Sequence, residues 1–365
     1  MQQIVRTVIS FFAVAIVLIV LFGGYGSVNQ ILRWIKGDST IPESLVGTLL
    51  VSLVTAPSDV DGSVRVAPVT IAVENGGDVA YLPTDTLHGV PAGTLQYSVS
   101  SDSGAAVFLG SPYENDGITG VPAGMSPTVY RASLIGVTNY EDVVQALRNA
   151  EPIAIPTTND YLREGPVISS AGVVLYSSVS EEIYADSDVP ISSLPADSWS
   201  IFAVDSDGSK TFVTEGIRPK WINDTHFAFL RNQGLYLYDL NAKKDQLVWE
   251  VQNIPTIVSG LDVSDDGTLV SFSDPARSSV QVIRALNWDT GSLASVVDLH
   301  VLATNPVFSP DNRYLALIVL EAAGENELLV PKVEFVSMST FELLPYKIPF
   351  DMKTIDGIYM TDWRQ

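Results

Sequence analysis

The stretch Pro219–Leu240, PKWINDTHFAFLRNQGLYLYDL, limits what this chain can fold into more than any other. It reads as three short strands in succession, each ended by a turn. Pro219-Lys220-Trp221 sets an inner strand with an aromatic near its start, and Asn223-Asp224 turns it. Phe227-Ala228-Phe229 forms the second strand, Asn232-Gln233-Gly234 turns again, and Leu235–Tyr238 is the third, left through Asp239. Apolar residues at period two, bounded by Asn, Asp and Gly, are the mark of strands joined by tight hairpins. Two hairpins in one window make a meander.

The meander recurs. Val263-Ser264-Asp265-Asp266-Gly267 leads into Thr268–Phe272 and then Val280–Ile283. Phe308-Ser309-Pro310-Asp311-Asn312 leads into Tyr314–Ile318 and then Lys332–Val336. Aligning the turns sets Trp221, Val263 and Phe308 in equivalent places. A period of roughly 40–50 residues with several strands per unit is the sequence sign of a β-propeller. A degenerate copy runs from Ile168–Gly172 through Val173–Tyr176 to Trp199–Val204, and the tail Ile358–Trp363 looks like the opening strand of one more unit.

These units resemble the TolB-type, WD-like propeller repeat, with its Trp-Ser-Pro-Asp-Gly turn, apolar strand and Ile-Tyr-x-x-Asp strand. Phe308–Leu317 is the nearest match to the first half and Leu235–Leu240 to the second. Trp221-Ile222-Asn223-Asp224 departs from it by lacking Pro and Gly, and Val263 stands where the aromatic belongs. The resemblance covers about Gly165 to Gln365. It marks Trp221, Phe229, Tyr236, Tyr238, Asp239, Phe272, Phe308, Pro310, Asp311 and Trp363 as structural repeat positions. The expected fold class is all-β, a β-propeller of six or seven blades with degenerate first blades, preceded by one transmembrane helix. Fold alone does not name a ligand. The turn acids read as turn chemistry, since Pro presets φ, Asp bonds back to the backbone, and Gly or Asn accepts positive φ.

Residues 44–164 are β-prone. Short strands are expected at Ser44–Val54, Val69–Val73, Val79–Tyr81, Leu95–Val99, Ala105–Leu109 and Val129–Leu134, with one helix at Asn139–Asn149 capped by Asn139. This region is either the decorated first blades of a ring or a separate β-rich domain. Open sheet edges are a hazard that proteins avoid, which argues for the ring. Val46–Val54 and Ile358–Trp363 are the two strands expected to close it.

Acidic residues outnumber basic ones 42 to 20, for a formal charge of −22. A nucleic-acid partner needs a positive footprint, which this composition does not provide. With no cysteine, disulfides, thiolate metal sites and a cysteine nucleophile are excluded.

Residues 1–6 read as a short N-terminal tail, 7–25 as a transmembrane helix or signal anchor, and 26–43 as a juxtamembrane helix and linker. Thr7–Tyr25 carries no charge and is long enough to cross a hydrocarbon layer of ~30 Å as a helix. Val28, Ile31, Leu32 and Ile35 share one helix face. The alternative is a cleaved signal, with Gly24-Tyr25-Gly26 before the cut and an exported soluble product. Arg6 on one side and Arg33 and Lys36 on the other leave orientation by charge ambiguous. The TolB-type resemblance implies a periplasmic, extracytoplasmic propeller.

Chemistry is sparse. His88, His226 and His300 are each isolated, and no G-x-S-x-G elbow, phosphate loop or dinucleotide fingerprint occurs. Asp205 and Asp207, in Asp205-Ser206-Asp207-Gly208, are the weak calcium candidate, although a hairpin turn explains the same residues. Otherwise no cofactor, metal or catalytic residue is expected. The leading expectation is a membrane-anchored interaction or scaffold module of the cell envelope, with a protein partner and no nucleic acid. The alternatives are a hydrolase or lyase working in the propeller channel and a structural cell-surface component. If Thr7–Tyr25 is an uncleaved anchor, the mature protein begins at or near Met1 and sediments with membranes until detergent is added. A mature N-terminus at Ser27, read by terminal sequencing, would reject the anchor.

Overall fold

A computed structural model of the chain describes residues 45, 47–55, 66–72, 79–80, 97–100, 104–110, 128–137, 142, 145–147, 149–186, 194–232, 234–250, 260–274, 279–284, 295–299, 303–322, 329–348 and 355–364. The expected anchor at Thr7–Tyr25, the amphipathic face at Val28–Ile35, His88 and His300 lie outside these residues. Among the described residues no helix is long and apolar enough to cross a membrane.

The described strands form six four-stranded antiparallel sheets. The first combines β1 (Thr48–Thr55), β2 (Val66–Ala72) and β3 (Val79–Ala80) with the last strand of the chain, β24 (Ile355–Arg364), in the order β24-β1-β2-β3. The second holds β4 (Tyr97–Val99), β5 (Ala105–Gly110), β6 (Thr128–Ser133) and β7 (Glu151–Ala154). The third holds β8 (Leu162–Ile168), β9 (Val174–Val179), β10 (Ser200–Val204) and β11 (Lys210–Glu215). The fourth runs β12 (Ile217–Asn223), β13 (His226–Arg231), β14 (Gly234–Asp239), β15 (Lys244–Glu250). The fifth runs β16 (Leu261–Val263), β17 (Leu269–Asp274), β18 (Ser279–Arg284), β19 (Ser295–Asp298), and the sixth β20 (Ala303–Phe308), β21 (Tyr314–Ala322), β22 (Leu329–Ser337), β23 (Leu343–Ile348). One short helix, α1 (Glu181–Asp186), follows β9. In the segment expected to be helical at Asn139–Asn149, the described residues Asp142 and Gln145–Leu147 are helical.

Contacts between one end strand of each sheet and its counterpart in the next run β24 to β4, β8, β12, β16, β20 and back to β24. That circuit is the propeller arrangement, with six strands around a central axis. The sheet at β4–β7 takes a place in it, since β4 packs against both β24 and β8.

The fourth sheet shows why the sequence of a blade looks as it does. β13 is buried along Phe227–Leu230 and β14 along Gly234–Tyr238, although alternation should expose one face. Phe227, Phe229, Tyr236 and Tyr238 join one apolar cluster with Val167, Leu175 and Ile201 of the third sheet. Ala228, Leu230, Leu235 and Leu237 join another with Leu261, Val270 and Phe272 of the fifth. Period two is intact, but each face meets a neighbouring sheet, as in any strand covered on both sides. Directly opposed aromatics stack, Phe227 on Tyr238 at 5.1 Å and Phe229 on Tyr236 at 5.4 Å. The outermost strand, β15, has no such cover and is mostly exposed.

Closure has its own core. Leu49 and Val51 of β1 and Met360 and Trp363 of β24 pack with Val307, Ala316, Ile318, Val333 and Phe335 of the sixth sheet. The Trp363 ring meets Phe335 edge-on at 5.5 Å. Trp363 is 1% exposed, whereas Trp221 is only half-buried.

The expectation that Trp221 and Phe308 begin their strands is corrected: Phe308 is the last residue of β20, Val263 the last of β16, and Trp221 lies two residues from the end of β12. β12 and β20 start earlier because a bulge lets the chain extend backward past a proline. Register shifts fall at Glu164/Val167, Ile217/Lys220 and Thr304/Val307. At each, a residue of positive φ precedes Pro: Gly165-Pro166, Arg218-Pro219 and Asn305-Pro306. Proline is admitted to a strand where a bulge removes the need for its missing N–H.

Truncating a buried Trp to Ala costs roughly 3–5 kcal/mol, against a typical total stability of about 5–15 kcal/mol. Trp363→Ala is therefore expected to lower the denaturant midpoint sharply. Trp221→Ala, at a half-buried site, is expected to cost about 1–3 kcal/mol. Equal midpoints for the two variants would contradict the closure core.

Candidate functional site

Every circuit strand except β24, the last of the chain, leads through a turn to the next strand of its sheet, and these turns share one chemistry. The Ser264 hydroxyl accepts the Leu269 N–H at 2.9 Å, and Ser309 accepts that of Tyr314 at 2.9 Å. Ser100 does the same for Ala105 at 3.0 Å, and Ser169 for Val173 at 3.2 Å. In the fourth sheet Asn223 substitutes, taking the N–H groups of Thr225 and His226 at 2.9 and 2.8 Å. A short polar side chain that bonds the backbone a few residues on is what tight turns select.

Two acids complete turns of this kind. Asp266 accepts from Ser264, and from both the N–H and the hydroxyl of Thr268. Asp311 accepts from Ser309 and Arg313. Burial pushes both carboxyls up, but these donors outweigh it and hold both below the usual range. Ser170 donates to Asp224 at 2.6 Å, tying the third turn to the fourth.

Charged groups also staple neighbouring circuit strands. Arg218 pairs with Glu164 at 2.6 Å, and Lys220 with Asp262 at 3.2 Å. Asp262 accepts the Phe308 N–H at 2.8 Å as well, so one buried carboxylate joins three sheets. The Trp221 indole N–H donates to the Val167 carbonyl at 3.4 Å.

Two cavities lie among these strands. The inner one, of about 70 Å³, is lined by the bulge residues Gly165-Pro166, Arg218-Pro219 and Asn305-Pro306 with Leu261 and Met360. The larger, of about 300 Å³, lies among the turns. Ser169, Ser170, Lys220, Trp221, Asn223, Asp224, Asp262, Ser264 and Asp265 line it. Ser98, Val167 and Lys220 border both.

The remaining sequence candidates sit elsewhere. Asp205 and Asp207 close the β10–β11 hairpin: the Asp205 N–H bonds to the Ser209 carbonyl, and Ser209 donates its N–H and hydroxyl to the exposed Asp207 carboxylate. Among the described residues no group of three or more His, Asp or Glu side chains is placed to hold a metal ion. His226 lies on β13, half-buried, 3.6 Å from Asp239, whose carboxylate caps the exit turn through the Asn241 and Ala242 N–H groups. Pro310 and Asp311 form the sixth turn; Phe272 is fully buried.

One polar cluster has no signal in the sequence. Asp160, 1% exposed, receives two bonds from the Arg163 guanidinium at 2.8 Å, one from Tyr176 at 2.7 Å and one from Lys210 at 2.9 Å. Burial opposes its charge, but Arg163 foremost, with Lys210 and Tyr176, holds the carboxyl below its ordinary value. Burial, reinforced by the neighbouring Asp160 charge, pushes the Tyr176 hydroxyl up. Tyr176 packs in the core shared by the second and third sheets, and the cluster ties the segment before β8 to three strands of the third sheet.

No protein-family model matches the chain, and no curated protein matches it in sequence. Solved structures resemble it. An oligogalacturonate lyase from Vibrio parahaemolyticus has 11% identity and a TM-score of 0.47, over 77% of this chain and 71% of that one. Hydrazine synthase of Kuenenia stuttgartiensis has 11% and 0.46, over 76% and 72%. The β-propeller domain of the Trilobed protease from Pyrococcus furiosus has 10% and 0.36, over 53% and 58%. Values this low support no inference about activity, and the propeller reading rests on the chain's own strand pairing.

Because folding lowers the Asp160 pKa, its contribution is fully present above the unfolded carboxyl value of about 3.9 and is lost as pH falls through the folded value. Removing one partner of a buried ion pair costs roughly 3–5 kcal/mol. Asp160→Asn is expected to destabilise strongly at pH 7 and to differ less from the wild type at pH 3, as read from denaturant midpoints. A gap that stays constant with pH would contradict the cluster's role.

Proposed function

We propose that the chain is a six-bladed propeller spanning residues 44–365, related to the TolB type, that acts as a protein-interaction module. The observation carrying this reading is the cavity of about 300 Å³ bordered by successive turns. Its rim is rigid, because the turns are closed by their own Ser and Asn side chains and the third is tied to the fourth through Ser170–Asp224. A rigid concave patch on loops held by a scaffold is where binding concentrates. The charged groups beside the channel serve to join sheets: Glu164 is engaged with Arg218, and Asp262 with Lys220 and Phe308. A hydrolase or lyase would need such carboxylates poised for proton transfer, which favours binding over turnover.

The apolar segment Thr7–Tyr25 supports placing the module at a membrane, and the TolB-type likeness of the repeats supports the side outside the cytoplasm. The excess of acidic residues supports a partner other than nucleic acid. No cofactor is required by this reading.

The absence of cysteine provides a clean test. A single cysteine at Ser170 or Asp265, carrying a photo-crosslinker, is compared in cells with one at Lys244 on the outer strand. The reading expects the same discrete cross-linked product from both turn positions and none from Lys244. A product from Lys244 alone, or none from either turn, would overturn it.

A further inference from the structure

We infer that the ring is held with its turn face toward the membrane, so that the partner met by this face is a protein held in that same membrane. This rests on the anchor and interaction readings and adds the geometry that joins them.

In five sheets the circuit strand passes through a turn into the next strand. In the first sheet that corner is made by the two ends of the propeller region, with Arg364 at the end of β24 paired to Thr48 at the start of β1. The corner lies on the turn face. The Trp363 ring meets Phe335, which is in register with Ala316 and through it with Val307, one residue from the end of β20. The chain therefore enters the ring on the side of the turns and the cavity.

The point of entry is pinned. Leu45, 2% exposed, joins the cluster that holds Val307 and Trp363, and Tyr314, the first residue of β21, packs against that cluster. Between Leu45 and β1, the buried Gly47 has φ +102°, a conformation open to glycine and costly for other residues. The bend and the buried leucine together fix where the preceding chain leaves the ring.

Residues 26–44, 19 in number, separate the apolar segment from Leu45. A flexible chain of that length reaches about 25 Å on average, and helical residues reach less, at about 1.5 Å each. To present the opposite face, the tether would have to pass over β2 and β3 and then down the depth of the ring. That path is about 30 Å at ordinary strand spacing and rise. The shorter course keeps the turn face toward the membrane. A net charge of −22 repels the ring from anionic headgroups, so the face stands off the lipid and the cavity stays open to a protein rising from the same membrane.

The test labels two faces of the full chain, which has no cysteine of its own. Ser206→Cys and Ala242→Cys place a fluorescent donor on exposed hairpins of the turn face, where Val204 is in register with Val174 and Asp239 with His226. Asn159→Cys, before β8, and Glu182→Cys, on α1, place it on the opposite face. Each variant is reconstituted into phosphatidylcholine vesicles carrying a rhodamine-labelled headgroup lipid as acceptor. With the faces about 20 Å apart, energy transfer is expected to be at least about twofold more efficient from the turn positions. Chain that floats with the vesicles but transfers equally from both faces, or more from Asn159→Cys and Glu182→Cys, would overturn the inference and leave the anchor standing. Chain that does not float rejects the anchor and the inference together. For the partner, a protease site inserted after Ile41 is cut in membranes carrying the Ser170 cross-link. The cross-linked product is expected to stay in the membrane pellet through an alkaline wash while free propeller is released. Release of both would overturn the membrane-held partner, and absence of any cross-link rejects the interaction reading and that partner with it.

Discussion

The backbone pairing of β24 with β1 is the contact on which the rest depends. It runs from Thr48–Arg364 to Thr55–Ile355, interrupted by two register shifts. Without it the first sheet would lose its channel strand, β4 and β20 would lose a neighbour, and the edge of β1 would stand open for another chain to pair with. The two strands come from opposite ends of the propeller region, so the ring cannot close until synthesis has reached Arg364. Until then β1 and the apolar side of the sixth sheet remain unprotected. Late, non-local pairing of this kind makes all-β proteins slow to fold and prone to aggregate on the way.

Around that closure, apolar and polar contacts divide the work. Apolar clusters fill the wedges between sheets, and each strand of the fourth sheet supplies alternate residues to two wedges. Between the circuit strands, single polar contacts do the joining. Asp262 is the clearest case, since it meets a side chain from one neighbour and a backbone N–H from the other. The Asp160 cluster does its joining within one sheet, tying the segment before β8 to β8, β9 and β11.

Much of the strand pattern was legible in the sequence because local rules produce it. The meander at Pro219–Leu240, the β18 and β22 segments and the closing tail all show period two between turn residues. The repeat was read on its aromatics, but the more regular landmark is the turn-opening Ser at 100, 169, 264 and 309. A second signal was also present: Gly165-Pro166, Arg218-Pro219 and Asn305-Pro306 each precede a turn at a similar distance. By itself a proline suggests a strand boundary, and only the bulge reveals that the strand continues through it. The Asp160 cluster was beyond reach, since Tyr176 and Lys210 reach that carboxylate from distant parts of the chain. The cavity was equally hidden, because its walls are residues of different turns that meet only once the ring has formed.

The turns separate two jobs that most loops combine. In the fifth turn Ser264 and Asp266 hold the backbone, while Asp265 between them faces outward to the cavity rim. A substitution at Asp265 leaves in place the Ser264 and Asp266 bonds that build the turn. Descendants of such a chain can therefore vary at that exposed position while inheriting the same frame.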